Sequence, residues 1–220
     1  MKKVYQIGAH TLIVGDSLET VTRGFTNSLH PDLLVIDPPY DMRDAYERSV
    51  RPPEGGQRML LMWDDLRADN AIRAAFNAGW RLHSESVWDH VTSWRKPDRP
   101  LIRHRTCGVF YAGRSLSMAP VTLRNERGEN VRMQSVYRHQ KTSMHGHPHA
   151  KPIEWIRALI ESLRPRLVLD PFLGSASTMV ACEQVGVPCV GVEISEPYAD
   201  DALKIIQSYS GHSPKEVQRD

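Results

Sequence analysis

Cysteine is scarce in this chain, which excludes two common ways of stabilising a small fold. The sequence of 220 residues has three cysteines, Cys107, Cys182 and Cys189, and this odd, scattered set matches neither a disulfide framework nor a zinc ribbon. No apolar run reaches the length of a membrane span. Residues 1–6 lack the apolar stretch of a secretory signal. We therefore expect a protein of the reducing cytoplasm with no membrane partner.

The net charge is also small, at +2, so overall charge does not by itself argue for a nucleic-acid partner. The distribution is more informative. Basic residues far outnumber acids between Arg95 and Arg138, whereas the chain after Asp170 is acidic. The basic middle segment could neutralise DNA phosphates, although a solvated loop surface is an equally ordinary interpretation.

Three short apolar runs each end on an acid. They cover residues 33–37, 167–170 and 189–193, and the acids are Asp37, Asp170 and Glu193. Unbroken apolar runs of this length are typical of parallel strands buried on both faces. Helical patterns at residues 65–78, 151–163, 175–184 and 197–208 alternate with them, and strands are predicted at 80–88 and 106–112. The length suits one domain over residues 1–220, with an α/β, doubly wound, mostly parallel sheet.

Three other segments are predicted from local composition. Residues 4–8 and 11–14 resemble a small hairpin. Residues 40–59 are rich in charge, glycine and proline, so we expect a mobile loop. The tail after Gly211 is expected to fray.

The strand-ending acids predict a ligand site, because ligands of such sheets bind beyond the carboxyl ends of the strands. A tight glycine turn and a helix start follow Asp170, and the free amides of a helix N-terminus favour a carboxylate or phosphate. Glu193 follows Asp170 by about twenty residues, the usual distance to an acid that binds ribose hydroxyls. The turn lacks the GxGxxG pattern, so a structural turn stays open as the alternative.

The segment Asp37-Pro38-Pro39-Tyr40 suits chemistry on an exocyclic amino group. Such a group is a poor nucleophile, because its lone pair is delocalised into the ring. Asp37 and the Pro38 carbonyl could accept hydrogen bonds from its two N–H groups, and proline holds that carbonyl outward. Tyr40 offers an aromatic face to a base flipped out of the duplex. A rigid turn with a surface tyrosine is the alternative.

In these motifs the chain resembles the amino-methyltransferases of DNA, in their β-class order, where Asp-Pro-Pro-Tyr precedes the S-adenosylmethionine motif. The similarity covers about residues 4–113 and 145–208. It implies a Rossmann-like methyltransferase fold with a circularly permuted motif order, S-adenosyl-L-methionine as cofactor, double-stranded DNA as partner, and a bacterial or phage-infected host cell. One departure is Ala176, where the family usually has glycine.

The resemblance also assigns roles to residues. The catalytic set is Asp37, Pro38, Pro39 and Tyr40. Candidate cofactor-binding residues are Asp16, Lys151, Asp170, Phe172, Gly174, Ser175, Ser177 and Glu193, with Glu193 on the ribose and Lys151 and Ser177 as candidates for the methionine carboxylate. The resemblance also places a short target-recognition insertion at about residues 114–146. Within that segment the side-chain chemistry of Arg124, Arg127, Arg132 and Arg138 suits contacts with DNA bases and phosphates. A homodimer is left open. No metal site is expected, and His149 is interpreted as part of the family motif that includes Lys151-Pro152.

The function expected is a DNA adenine N6-methyltransferase that transfers a methyl group directly, without a covalent enzyme intermediate. Two alternatives stay open. A cytosine-N4 methyltransferase shares the fold and mechanism, but that group more often has serine at the position of Asp37. The other alternative is a catalytically idle DNA-binding protein that has kept the fold.

Overall fold

Within the part of the chain that the structure describes, a ten-stranded sheet positions the residues of the candidate site. The computed structural model describes residues 3–22, 30–39, 45–50, 58–63, 68–94, 102–124, 128–139 and 151–217. The strands are β1 Lys3–Ile7, β2 His10–Val14, β3 Leu33–Ile36, β4 Arg58–Trp63, β5 Arg81–Trp94, β6 Ile102–Ala112, β7 Thr122–Arg124, β8 Asn130–Arg132, β9 Val136–Arg138, β10 Val168–Asp170, β11 Cys189–Glu193 and β12 Lys215–Glu216. The described helices are α1 Ser17–Thr22, α2 Ala45–Ser49, α3 Ala68–Asn77, α4 Ile153–Leu163, α5 Ser177–Val185 and α6 Glu196–Ser210.

The strand order of the large sheet is β12-β1-β2-β11-β10-β3-β4-β6-β5-β9. Its middle, from β2 through β11, β10 and β3 to β4, is parallel. The antiparallel pairs are β12 with β1, β1 with β2, and β6 with both β4 and β5, while β9 lies parallel to β5 at the far edge. The predicted mostly parallel α/β sheet is therefore confirmed. The small hairpin at the start of the chain is present as β1 and β2.

Apolar side chains cover both faces of the central strands, as the unbroken apolar runs predict. On β3, Leu33 and Val35 belong to the core on the face that α4, α5 and α6 cover. Ile36 belongs to the smaller core on the opposite face, where Ala74 and Ala75 of α3 pack. This alternation follows from the two-residue period of a strand. None of the helices in the described part of the chain is long and apolar enough to cross a membrane.

A topological switch point lies between β3 and β10. The chain leaves β3 toward β4 on one side, whereas it leaves β10 toward β11 on the other. Diverging connections open a crevice at the carboxyl ends of the two strands. Asp37 follows β3 directly, and Asp170 is the last residue of β10.

The loop predicted at residues 40–59 is wrong where the structure describes it. Residues 45–49 form α2, and Arg58 and Met59 already belong to β4. Tyr46 is buried, and its hydroxyl donates a 2.7 Å hydrogen bond to the Trp63 carbonyl. Burial against β4 therefore stabilises a helix too short to show periodicity in the sequence.

The frayed tail is also wrong for the residues that form β12. Glu216 and Lys215 pair with Tyr5 and Gln6 of β1, and Val217 donates a backbone hydrogen bond to the Val4 carbonyl. Without this strand, β1 would be the edge of the sheet, with unpaired amide and carbonyl groups. The backbone hydrogen bonds hold a segment whose side chains are exposed.

Candidate active site

A cavity of about 520 Å³ opens at the carboxyl ends of the parallel strands. Its size is in the usual range for small-molecule sites. The eleven predicted catalytic and cofactor residues that the structure describes all line it: Asp16, Asp37, Pro38, Pro39, Lys151, Asp170, Phe172, Gly174, Ser175, Ser177 and Glu193. Tyr40 lies outside the described residues. The folded chain thus brings together acids that are up to 177 positions apart in the sequence, from Asp16 to Glu193.

The Asp170 carboxylate stabilises the turn that follows β10 by accepting a backbone hydrogen bond from it. Its Oδ1 accepts a 2.9 Å hydrogen bond from the Phe172 amide. The side chain is buried, and burial raises its pKa to about 6, because an ionised carboxylate loses its hydration there. Hydrogen bonds from the Thr178 side chain and the Phe172 amide partly oppose that rise. The cavity therefore contains a carboxylate that is ionised at neutral pH in an unfavourable environment.

Glu193 joins the glycine turn to the loop after β11. Its Oε2 accepts a 2.8 Å hydrogen bond from the Gly174 amide, and its Oε1 accepts one of 2.8 Å from the Ser195 amide. The residue is buried to 8% exposure. A carboxylate oxygen can accept more than one hydrogen bond, so both oxygens can still accept from a ligand hydroxyl.

The N-terminus of α5 borders the same cavity. Ser175 and Ser177 hydroxyl oxygens lie 3.0 Å apart, and Ala176 between them has φ 60° and ψ 17°. L-residues seldom adopt this left-handed conformation, which costs about 1–2 kcal/mol relative to glycine. Ala176 thus adopts a conformation that glycine adopts more readily, at a modest cost in stability.

Asp37 and Lys151 form an ion pair across the cavity. The Lys151 ammonium donates a hydrogen bond to Asp37 Oδ2. Within the described part of the chain, Asp37 Oδ1 is buried and has no hydrogen-bond partner. Lys151 is only 6% exposed, and its Nζ lies 5.4 Å from the centroid of the Trp63 ring. Burial raises the pKa of the Cys107 thiol, and the charges of Lys151 and Asp37 act on it with opposite signs.

Two aromatic residues of the cavity were not predicted from the sequence. Trp63 ends β4, one position beyond the paired Ile36 and Met62, which places it beside Asp37. In the sequence, the apolar run of residues 59–63 is the signal that could have identified the strand that carries Trp63. Tyr198 lies in the first turn of α6 and lines the cavity next to the loop after Glu193.

The three predicted DNA-contacting arginines that the structure describes are not among the residues that line the cavity. Arg124 and Arg132 are exposed on β7 and β8, which pair antiparallel as a separate two-stranded ribbon. Arg138 is on β9, 3.9 Å from Asp89 Oδ2, and Arg127 falls outside the described residues. Among the residues that the structure describes, no group of histidine, cysteine and carboxylate side chains is arranged to hold a metal ion. The histidines at 145–149 also fall outside them.

Residues 67–204 match the model of a protein family described as DNA methylase, of the N6/N4 type. Because this match spans more than half of the 220 residues, the chain belongs to the N6/N4 DNA methylase family. This confirms the resemblance drawn from the two motifs.

Individual relatives are more distant. The type II methyltransferase M.SmaI of Serratia marcescens is 25% identical over 178 residues, which cover 76% of this chain and 60% of M.SmaI, so the chain spans less than two thirds of that relative. The crystal structure of the M1.HpyAVI–SAM complex has a TM-score of 0.66 at 18% identity, covering 89% of this chain and 99% of the other. The cytosine-N4-specific PvuII DNA methyltransferase has a TM-score of 0.60 at 15% identity, covering 90% and 89%.

Proposed function

We propose that this chain is a DNA adenine N6-methyltransferase that uses S-adenosyl-L-methionine. The observation that carries the proposal is the single cavity that both Asp37 and Glu193 line. It joins an acceptor suited to an amino group with a buried carboxylate suited to ribose hydroxyls. The family contains enzymes of both base specificities, so the choice of adenine depends on Asp37 itself.

The cavity suits S-adenosylmethionine in size and in chemistry. Glu193 would accept hydrogen bonds from the ribose hydroxyls, and Asp16 is proposed for the adenine end. Gly174, Ser175 and Ser177 present the N-terminus of α5, which favours the methionine carboxylate. Phe172 adds an apolar wall, and the buried Asp170 places negative charge near a cationic ligand. When bound, the cofactor supplies a methyl group on a positively charged sulfur.

The other half of the cavity suits the target amino group. Asp37 Oδ1 is a buried acceptor with no partner among the described residues, and an unsatisfied acceptor is costly. One N–H of the amino group would satisfy it, and the Pro38 carbonyl would accept the other. These hydrogen bonds would draw the nitrogen toward tetrahedral geometry and free its lone pair. The proton released after transfer would leave to Asp37 or to solvent. Tyr40 is proposed to stack on the flipped base.

The labelled product is the direct test of this proposal. The protein is incubated with S-adenosylmethionine labelled in its methyl group and unmethylated genomic DNA, which is then digested to nucleosides. We expect the label in N6-methyladenine. Label only in N4-methylcytosine would show that the target base is cytosine and not adenine. The similar fold of the cytosine-N4-specific PvuII methyltransferase keeps this alternative open. Saturable cofactor binding with no label in DNA would indicate the idle DNA-binding protein instead.

DNA contact is proposed to occur through the ribbon of β7 and β8 in the insertion at 114–146. Opposite residues of an antiparallel pair share a face, so the pairs Thr122–Arg132 and Arg124–Asn130 present four polar side chains on one side. Leu123, on the other side, is buried in the main core. A two-stranded ribbon of this kind fits the major groove of DNA.

Removing both ribbon arginines should weaken DNA binding without affecting the cofactor site. For the Arg124→Ala, Arg132→Ala double variant we expect the slope of log affinity against log salt to become shallower by about 2, one for each lost phosphate contact. Lys204→Ala is the control, because Lys204 is paired with Asp201 on α6. Fluorescence anisotropy with a labelled duplex at several salt concentrations measures the slope. If the double variant had the same salt dependence of affinity as the unmodified chain, the ribbon arginines would not contact DNA phosphates.

A further inference from the structure

The ion pair of Lys151 and Asp37 joins two segments that lie 114 positions apart in the chain. Asp37 follows β3, and Lys151 lies two residues before α4, so the pair connects the end of a central strand to the start of a helix that covers the sheet. The family resemblance assigns Lys151 to the methionine carboxylate. In the folded chain, however, its ammonium is bound to the carboxylate proposed to receive the target amino group. Its position therefore indicates a different role.

Two packed tryptophans, Trp63 and Trp155, support the Lys151 ammonium. Lys151 Nζ lies over the Trp63 ring, at a distance suited to a cation–π interaction. The Trp155 ring meets Trp63 edge-on, with centroids 5.9 Å apart and planes at 88°. Trp155 Nε1 in turn donates a 2.8 Å hydrogen bond to Ser86 Oγ. Both tryptophans are buried, so the position of Lys151 is determined by the core.

This contact divides the Asp37 carboxylate into two unequal oxygens. Oδ2 is bound by Lys151, whereas Oδ1 has no partner within the described residues. A carboxylate held by one oxygen cannot rotate freely. The remaining acceptor is then fixed in direction before any substrate arrives, which is how electrostatic preorganisation lowers a barrier.

We propose that Lys151 is a positioning residue for Asp37, holding one carboxylate oxygen so that the other is kept as the acceptor for the target amino group. The inference rests on the proposed function, because it requires Asp37 to contact the substrate. It leaves the methionine carboxylate to the N-terminus of α5.

The two roles of Lys151 predict different kinetic effects. If Lys151 positions Asp37, then Lys151→Met should lower the single-turnover rate of methyl transfer at saturating cofactor by about 100-fold, the range for losing one preorganised contact. Affinity for S-adenosylhomocysteine, measured by calorimetry, should stay within about 3-fold of the unmodified chain. Lys151→Arg should recover at least tenfold of the rate, because it restores a cation beside Asp37. Lys204→Met is the matched control for removing a lysine charge.

Either of two results would overturn the proposal. A loss of S-adenosylhomocysteine affinity by tenfold or more, whatever the rate, would assign Lys151 to the methionine end of the cofactor. An unchanged rate at saturating cofactor would show that Asp37 needs no such support.

Thermal unfolding tests the contact between Lys151 and Asp37 without depending on methyl transfer, so a failure of this inference can be distinguished from a failure of the proposed function. A double-mutant cycle compares Lys151→Met, Asp37→Asn and the double variant. Lys151→Met alone leaves a partly buried carboxylate without its partner and should lower Tm by several degrees, whereas adding Asp37→Asn should restore most of the loss. Strictly additive shifts would show that the pair does not form in solution. If the unmodified chain methylates no DNA while the cycle is non-additive, the proposed function fails although the contact is real.

Discussion

Replacing Asp37 with alanine is expected to lower the single-turnover rate of methyl transfer by about 10²–10³-fold, while cofactor affinity stays within about 3-fold. The change removes the proposed acceptor of the target N–H, at the point where positive charge would develop on nitrogen, and losing one such group costs about 10²–10³ in rate. It also leaves Lys151 without its carboxylate. Rapid-quench measurement with labelled cofactor gives the rate, and calorimetry gives the affinity.

Asp37→Asn provides the matched comparison, because it preserves shape and one acceptor oxygen. We expect a smaller loss of rate than in the alanine variant, provided that the amide turns its oxygen toward the substrate. Asp201→Asn, which alters an exposed acid on α6, should leave rate and affinity unchanged. An Asp37→Ala variant that retains its transfer rate and loses cofactor affinity would move Asp37 from the target half to the cofactor half of the cavity.

The second large effect concerns Asp170, whose replacement should stabilise the fold and weaken the site. Burial raises the pKa of Asp170 to about 6 from its ordinary value of 3.8. Between these values the folded chain holds a proton that the unfolded chain has released. The contribution of Asp170 to the free energy of unfolding is therefore fully present below pH 3.8 and is lost as the pH rises through about 6. A difference of about two pKa units corresponds to roughly 3 kcal/mol at pH 8.

Asp170→Asn removes this penalty, since the amide cannot ionise. We expect a higher Tm at pH 8, by several degrees, and little change at pH 4, where the acid is already protonated in the folded chain. The affinity for S-adenosylmethionine should fall by about tenfold or more, because the cation loses a nearby negative charge. Calorimetric unfolding across pH and cofactor titration at pH 8 measure the two effects.

Asp170→Ala separates charge from hydrogen bonding. Asparagine still offers an oxygen to the Phe172 amide, whereas alanine leaves that amide unsatisfied, so the alanine variant should be less stable than the asparagine variant at every pH. A lower Tm of Asp170→Asn at pH 8 would contradict a strained buried carboxylate. It would indicate instead that the charge is well compensated by its hydrogen bonds.

The strand ends of the site could be predicted because their signal is local. Each apolar run is short, unbroken and followed by an acid, and burial on both faces demands that pattern. Parallel pairing then brings Asp37, Asp170 and Glu193 to one edge without further information. The glycine turn after Asp170 is local in the same way.

The features that the sequence did not reveal depend on contacts between distant segments. The α2 helix exists because Tyr46 is buried and bonds to Trp63, and five residues carry too little periodicity to show this. The β12 strand is held by backbone pairing with β1, which is insensitive to side-chain type. The pairing of Lys151 with Asp37 could not be predicted, because it depends on the start of α4 lying close to the end of β3 in the folded chain. The arginines of the β7–β8 ribbon were predicted by composition, and their role in DNA binding stays a prediction.

The two amide contacts of Glu193 have a consequence for how the cofactor is exchanged. The Gly174 and Ser195 amides hold the carboxylate through contacts within the protein, so its rotamer and the two loops it joins are determined by the fold itself. A ligand that meets an ordered cradle loses less conformational entropy with the protein and gains affinity accordingly. Repeated replacement of spent cofactor would then require no rearrangement of the Glu193 carboxylate or of the two loops it joins.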